Sequence, residues 1–159
     1  MPPPEKSNKK LTIKIATNRK AKHDFHIIES LEVGIELKGV EVKSLRANKL
    51  TMEDAFADII DNQIWLKQLH ISLYENAGHE IVDPLRKRKL LLHKSEIIKL
   101  AKKIKLNGYT LIPLDVHFNG PWAKITLGLC QGKKQHDKRD DLKKKSDLRD
   151  MQRSSKNRF

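Results

Sequence analysis

Six short runs between Phe25 and Cys130, rich in β-branched and aromatic residues and separated by turn-forming groups, constrain this chain most. They occupy residues 25–32, 35–42, 55–60, 64–71, 109–118 and 122–130. Runs of this length and spacing predict the strands of an antiparallel sheet. Asp61-Asn62 and Asn119-Gly120-Pro121 fall between successive runs and read as hairpin turns. Asn, Asp and Gly accept left-handed backbone, and Pro cannot continue a ladder. Six strands with short connections suit a small closed barrel, because closure removes the exposed edges on which sheets aggregate.

Helical signals interrupt this pattern. Ser95 is a candidate N-cap and Asn107-Gly108 a candidate C-cap. Between them Ile97, Ala101 and Ile104 share one face, while Lys99, Lys102, Lys103 and Lys105 line the others. Shorter helices are expected around residues 43–47 and after Asp83-Pro84. With 159 residues the chain fits one domain with loose ends. Residues 1–10 are Pro- and Lys-rich and read as a flexible arm, residues 11–132 as the folded body, and residues 133–159 as a basic tail. That tail has only Leu142, Leu148, Met151 and Phe159 as large apolar groups. So little burial cannot offset ordering entropy, and the tail is expected to be disordered when free. It contains neither Pro nor Gly, so a helix on a partner is open to it.

Lys and Arg outnumber Asp and Glu 33 to 20, a formal net charge of +13, which points to a polyanionic partner. The arm carries +2, the body +5 and the tail +6. Nine Lys or Arg and a single acid, Glu96, lie between Leu85 and Leu106, with Arg86-Lys87-Arg88-Lys89 the densest block. Such blocks neutralise phosphates and release counterions. No apolar run approaches the ~20 residues of a membrane helix. The opening Met1-Pro2-Pro3-Pro4 lacks the apolar core of a signal peptide, so the chain reads as cytoplasmic. The lone Cys130 rules out a disulfide framework or Cys-rich zinc site and reads as a core residue.

No helix-turn-helix, zinc-finger or zipper pattern is present, which favours RNA over DNA. Small barrels with basic loops hold RNA by shape, backbone contact and stacking. Trp65, Trp122, Tyr74, Tyr109 and Phe25 could stack on bases, but most lie in strand-like runs, and core packing is the plainer expectation for each. His136 sits in the polar tail with nothing to pack against. A magnesium nuclease is the enzymatic alternative: Asp24 followed by Glu41-Val42-Lys43 has the residue types that hold a metal and orient water. A general ribosome-associated RNA-binding protein is a third reading, resting on charge and fold alone.

Four segments in order go further. They are Asn18-Arg19-Lys20-Ala21-Lys22-His23-Asp24-Phe25, Gly39-Val40-Glu41-Val42-Lys43-Ser44-Leu45-Arg46-Ala47, Asp83-Pro84-Leu85-Arg86-Lys87-Arg88-Lys89-Leu90-Leu91-Leu92-His93-Lys94 and Gly132-Lys133-Lys134-Gln135-His136-Asp137-Lys138-Arg139. Together they resemble the SmpB (small protein B, SsrA-binding) family. The resemblance implies an antiparallel β-barrel of oligonucleotide-binding type with about three short helices, no catalytic activity, and no cofactor or metal. It implies binding to the tRNA-like domain of transfer-messenger RNA and delivery of that RNA to stalled ribosomes for peptide tagging. The ribosomal partner would be the small-subunit decoding centre and mRNA channel. Elongation factor Tu would engage indirectly, through the aminoacylated RNA, and the free protein is expected to be a monomer. RNA contacts carried over by the resemblance are Asn18, Arg19, Lys20, Glu32, Lys43, Ser44, Arg46, Leu91 and Lys124. The basic block adds Arg86, Arg88 and Lys89. Lys133, Lys134, His136, Asp137, Lys138 and Arg139 would serve the decoding site, with His136 placed to stack on an rRNA base and the following tail lying in the empty mRNA channel. The family's usual Tyr at the end of the first segment is Phe25 here.

Overall fold

The computed structural model describes residues 11–156, so the expected arm at residues 1–10 lies outside the described residues. Two extended hairpin strands, β8 (Thr110–Asn119) and β9 (Trp122–Gly132), form the backbone of the fold. Asn119 pairs with Trp122 across Gly120-Pro121, and Gly120 supplies the left-handed backbone (φ 62°) that the turn requires. A second tight hairpin joins β4 (Phe56–Ile60) to β5 (Gln63–Lys67). Its two turn residues, Asp61 and Asn62, both take positive φ (50° and 59°), as a mirror-image two-residue turn demands.

These strands, with β2 (Phe25–Ile35) and β7 (Arg88–Leu91), close into a ring in the order β8-β4-β5-β7-β2-β9 and back to β8, every pairing antiparallel. β1 (Thr12–Thr17) lies along the C-terminal half of β8. A separate two-stranded ladder pairs β3 (Leu50–Thr51) with β6 (His70–Ile71). Ile64, Leu66, Leu90, Ile125, Leu127 and Leu129 are fully buried inside the ring. Two helices, α2 (Gly39–Arg46) and α3 (Lys94–Asn107), send Leu45, Ile97 and Leu100 into the same core. At about 25 cal/mol per Å² this burial is the main stabilising term.

A smaller cluster forms where α1 (Arg19–Asp24) packs Ala21 against Ile112, Leu114 and Cys130. Gly128 lies beneath it, and a Cβ there would stand 2.8 Å from Leu114 Cδ1. Burial pushes the Cys130 thiol up to about 11, so it is a small apolar filler rather than a reactive group.

Several expectations are corrected. Residues 35–42 are not one strand: β2 stops at Ile35, and α2 begins at Gly39, earlier than the expected helix. The Val40/Val42 alternation loses to Glu41, whose Oε1 accepts from the Lys38 N–H (3.0 Å) in the first turn. No helix follows Asp83-Pro84. Asp83 forms a turn with Leu85 and Arg86, and β7 is then captured between β5 and β2. α3 starts one residue before Ser95, because Glu96 reaches back to the His93 N–H (3.1 Å); its C-cap is the expected Gly108 (φ 66°). The tail, expected to be irregular without a partner, is a continuous helix α4 (Gln135–Lys156). Its first turn is tied to the body by Lys138–Asp24 and Asp137–His26, and nothing beyond it contains a helix breaker. Leu142, Leu148 and Met151 stay exposed, so those pairs rather than burial seat it.

Candidate nucleic-acid interface

Strands β2, β7 and β9 run side by side, and their register gathers residues far apart in sequence. Gly34 pairs with Leu91 on one side and Lys124 on the other, and Glu32 pairs with Thr126. The result is an open cleft of about 720 Å³. Glu32, Lys89, Leu91 and Lys124 line one wall, the turn Asp61-Asn62 another, and His93 and Lys94 at the start of α3 close it. Leu91 is half exposed here, and a Cβ on Gly34 would stand 3.2 Å from its Cβ. Glycine therefore leaves the room in which this apolar contact lies. The lining carries three lysines, three carboxylates (Glu32, Asp61 and Glu96) and one exposed leucine, a mixed surface offering cations for phosphate, acceptors for hydroxyl or base N–H groups, and an apolar contact for the flat face of a nucleoside.

Glu32 is not a loose acid in this cleft. His117 is almost wholly buried on the outer face of β8, with Nε2 3.0 Å from Glu32 Oε2 and Nδ1 2.7 Å from Asp115 Oδ1. Thr126 Oγ1 donates to the same Asp115 oxygen at 3.0 Å. Sequence reasoning passed over His117, because in a strand of alternating apolar residues it carries no distinguishing signal. It also missed Asp61, Asn62, His93 and Lys94 as cleft walls.

Other expected contacts are engaged elsewhere. Arg88 has no exposed surface. It donates to Glu41, to the Leu69 carbonyl (2.6 Å) and to the Pro84 carbonyl (3.1 Å), so its guanidinium is engaged within the core. Arg86 shares the Glu41 carboxylate and remains partly exposed. Burial alone would raise the Glu41 carboxyl, but the Lys38 N–H and the two guanidiniums outweigh it and hold it below the ordinary range. Burial lowers the Arg88 guanidinium, against the opposing pull of Glu41. Asn18 is buried too. Its Oδ1 caps α1 by accepting from the Ala21 N–H (3.0 Å), and its Nδ2 donates to the Met52 and Pro113 carbonyls. Ser44 is fully buried. On α1, Arg19 and Lys20 are exposed, Lys20 pairing with Asp54 at 3.1 Å. On α2, Lys43 lies over the Tyr74 ring and Arg46 over the Phe118 ring, each 5.4 Å from the centroid. Trp122 is 65% exposed rather than core.

The root of the tail folds back on α1. Lys133 pairs with Asp141, Lys138 with Asp24 (3.3 Å) and Asp137 with His26 (3.5 Å). His23 and Lys138 hold the Asp24 carboxyl below its ordinary range. Lys134, His136 and Arg139 are exposed. Asp24 and Glu41, the carboxylates of the nuclease reading, thus face cations of the protein itself. Among the described residues no cluster of His, Cys, Asp and Glu could hold a metal, and no helix is long and apolar enough to cross a membrane.

This geometry coincides with a family assignment. The family model described as SmpB protein matches residues 15–157. The chain belongs to the SmpB family. An SsrA-binding protein of Bacillus cereus is 48% identical over 144 residues, covering 91% of this chain and 93% of the relative. One from Carboxydothermus hydrogenoformans is 46% identical over 145 residues, covering 91% and 97%. A chain of a solved structure described as "tmRNA-SmpB: a journey to the center of the bacterial ribosome" superposes with a TM-score of 0.64 at 49% identity, covering 76% of this chain and 85% of that one.

Proposed function

We propose that this chain is a non-enzymatic adaptor that binds the tRNA-like domain of transfer-messenger RNA and carries it to stalled ribosomes for trans-translation. The observation that carries this reading is the cleft in which Glu32, Leu91 and Lys124, from three different strands, meet Lys89 and Lys94. Family membership supplies the RNA. The cleft is the body's contact with that RNA, and Arg19 and Lys20 on α1 and Lys43 and Arg46 on α2, all exposed, are further RNA contacts. We read the strand ring as a small barrel of oligonucleotide-binding type. Asn18 and Arg88 act by holding the elements that carry those cations.

His136, Asp137, Lys138 and Arg139, with Lys133 and Lys134, address the decoding centre, and the helical tail enters the vacant mRNA channel. Elongation factor Tu meets the complex through the aminoacylated RNA. The free protein is a cytoplasmic monomer. Gel-shift titration of the tRNA-like domain against an unrelated folded RNA of equal length tests the binding reading. The expected result is tight, salt-dependent binding with clear preference for the tRNA-like domain. Lys124→Ala should weaken it and flatten the salt slope by about one phosphate contact. Equal affinity for both RNAs would reduce the chain to a generic RNA-binding protein.

A further inference from the structure

We propose that His117 is a positioning residue for RNA binding: clamped between Asp115 and Glu32, it fixes the Glu32 carboxylate as an oriented acceptor in the cleft. This rests on the cleft being the RNA contact. The argument begins with a conflict of charge. An acid lining a phosphate-binding cleft repels its ligand unless a cation neutralises it, and Glu32 lines this one. Lys124 lies two rungs along the ladder, but no ion pair links it to Glu32 in the geometry above.

His117 supplies the missing partner. Both of its ring nitrogens face carboxylate oxygens, Asp115 at 2.7 Å and Glu32 at 3.0 Å. A carboxylate only accepts, and a neutral imidazole has one N–H. Both contacts are hydrogen bonds at once only when both nitrogens carry protons, so the clamp requires a doubly protonated ring. The charged groups around it come from every neighbouring strand. Lys14 on β1 pairs with His117 in register and stands 4.0 Å from Asp115. Lys124 faces it from β9, where Thr126 also donates to Asp115. With Asp115 held by Thr126 on one side, the ring cannot swing away, and Glu32 inherits a fixed direction. One Glu32 oxygen is then engaged with His117, leaving the other for a ligand donor. The chemistry such an acceptor selects is a ribose 2′-hydroxyl or a base N–H, not a phosphate. Preorganisation of this kind raises affinity by removing the ordering cost of the side chain.

The test is a double-substitution cycle with His117→Gln and Glu32→Gln, read as affinity for the tRNA-like domain. His117→Gln should lower affinity about fivefold to tenfold in the unsubstituted background, the scale of one net hydrogen bond. In the Glu32→Gln background it should lower it no further. A purely structural histidine would cost the same in both backgrounds, and that result, or no loss in either, overturns the proposal. Should His117→Gln fail to fold, the ¹⁵N imidazole spectrum of the unsubstituted protein at neutral pH decides alone. Two N–H signals for His117 support the clamp, and a neutral tautomer refutes it. That spectrum involves no RNA. A protein that shows the doubly protonated ring but no preference for the tRNA-like domain would sink the functional reading while leaving the clamp standing.

Discussion

Glu41 shows how a residue whose sequence setting suggests chemistry can serve the fold instead. In the chain it precedes Val42-Lys43 and reads as a metal-holding acid; in the molecule it caps α2 and binds Arg86 and Arg88. Removing one partner of a buried ion pair leaves an uncompensated charge, at a cost of about 3 kcal/mol or more. Glu41→Gln is therefore expected to lower the urea midpoint sharply. The pH dependence has a defined sign. Glu41 is held below its ordinary range, so its contribution is complete above the ordinary carboxylate pKa. It is lost as pH falls through the lowered folded value. Denaturation curves at falling pH should show this loss in the unsubstituted protein and less of it in Glu41→Gln. The same contrast explains what was legible in the candidate site. Glu32, Lys89, Leu91 and Lys124 were singled out from sequence and do share a cleft. Arg88, Asn18 and Ser44 were singled out with them, but a motif does not reveal which of its polar side chains point inward. His117 left no sequence signal at all, because its partners lie 2 and 85 positions away and only strand register unites them.

At the scale of elements, the long strands and hairpin turns were readable, since alternation and Asp61-Asn62 or Gly120 are local signals. β1, α1 and β7 were not, because their states are set by contacts made elsewhere. β7 has a basic, helix-compatible sequence and becomes a strand only between β5 and β2. α1 is six residues long and depends on the buried cap from Asn18. The tail is the opposite case. Its helix-permissive composition was plain, while its seating on α1 through Lys138–Asp24 and on β2 through Asp137–His26 was not. The cleft receives no residue from α4. Truncation after Gly132 is thus expected to leave affinity for the tRNA-like domain within about twofold, each mobile surface ion pair contributing little, and to abolish tagging on ribosomes. A large loss of RNA affinity on truncation would contradict the division of labour between body and tail.

For the molecule as a whole, most of the +13 net charge divides between a folded body (+5) and a basic extension (+6), a distribution suited to two anionic partners in sequence. Family membership, the cleft and the helical tail converge on an adaptor that joins an RNA to the ribosome. The most direct test is tagging of a stalled nascent peptide in a reconstituted translation system containing transfer-messenger RNA, with and without this protein. The account predicts tag addition only when the protein is present, in proportion to its amount until the RNA is saturated. Tag addition of equal extent without the protein, or none with it, would contradict the account.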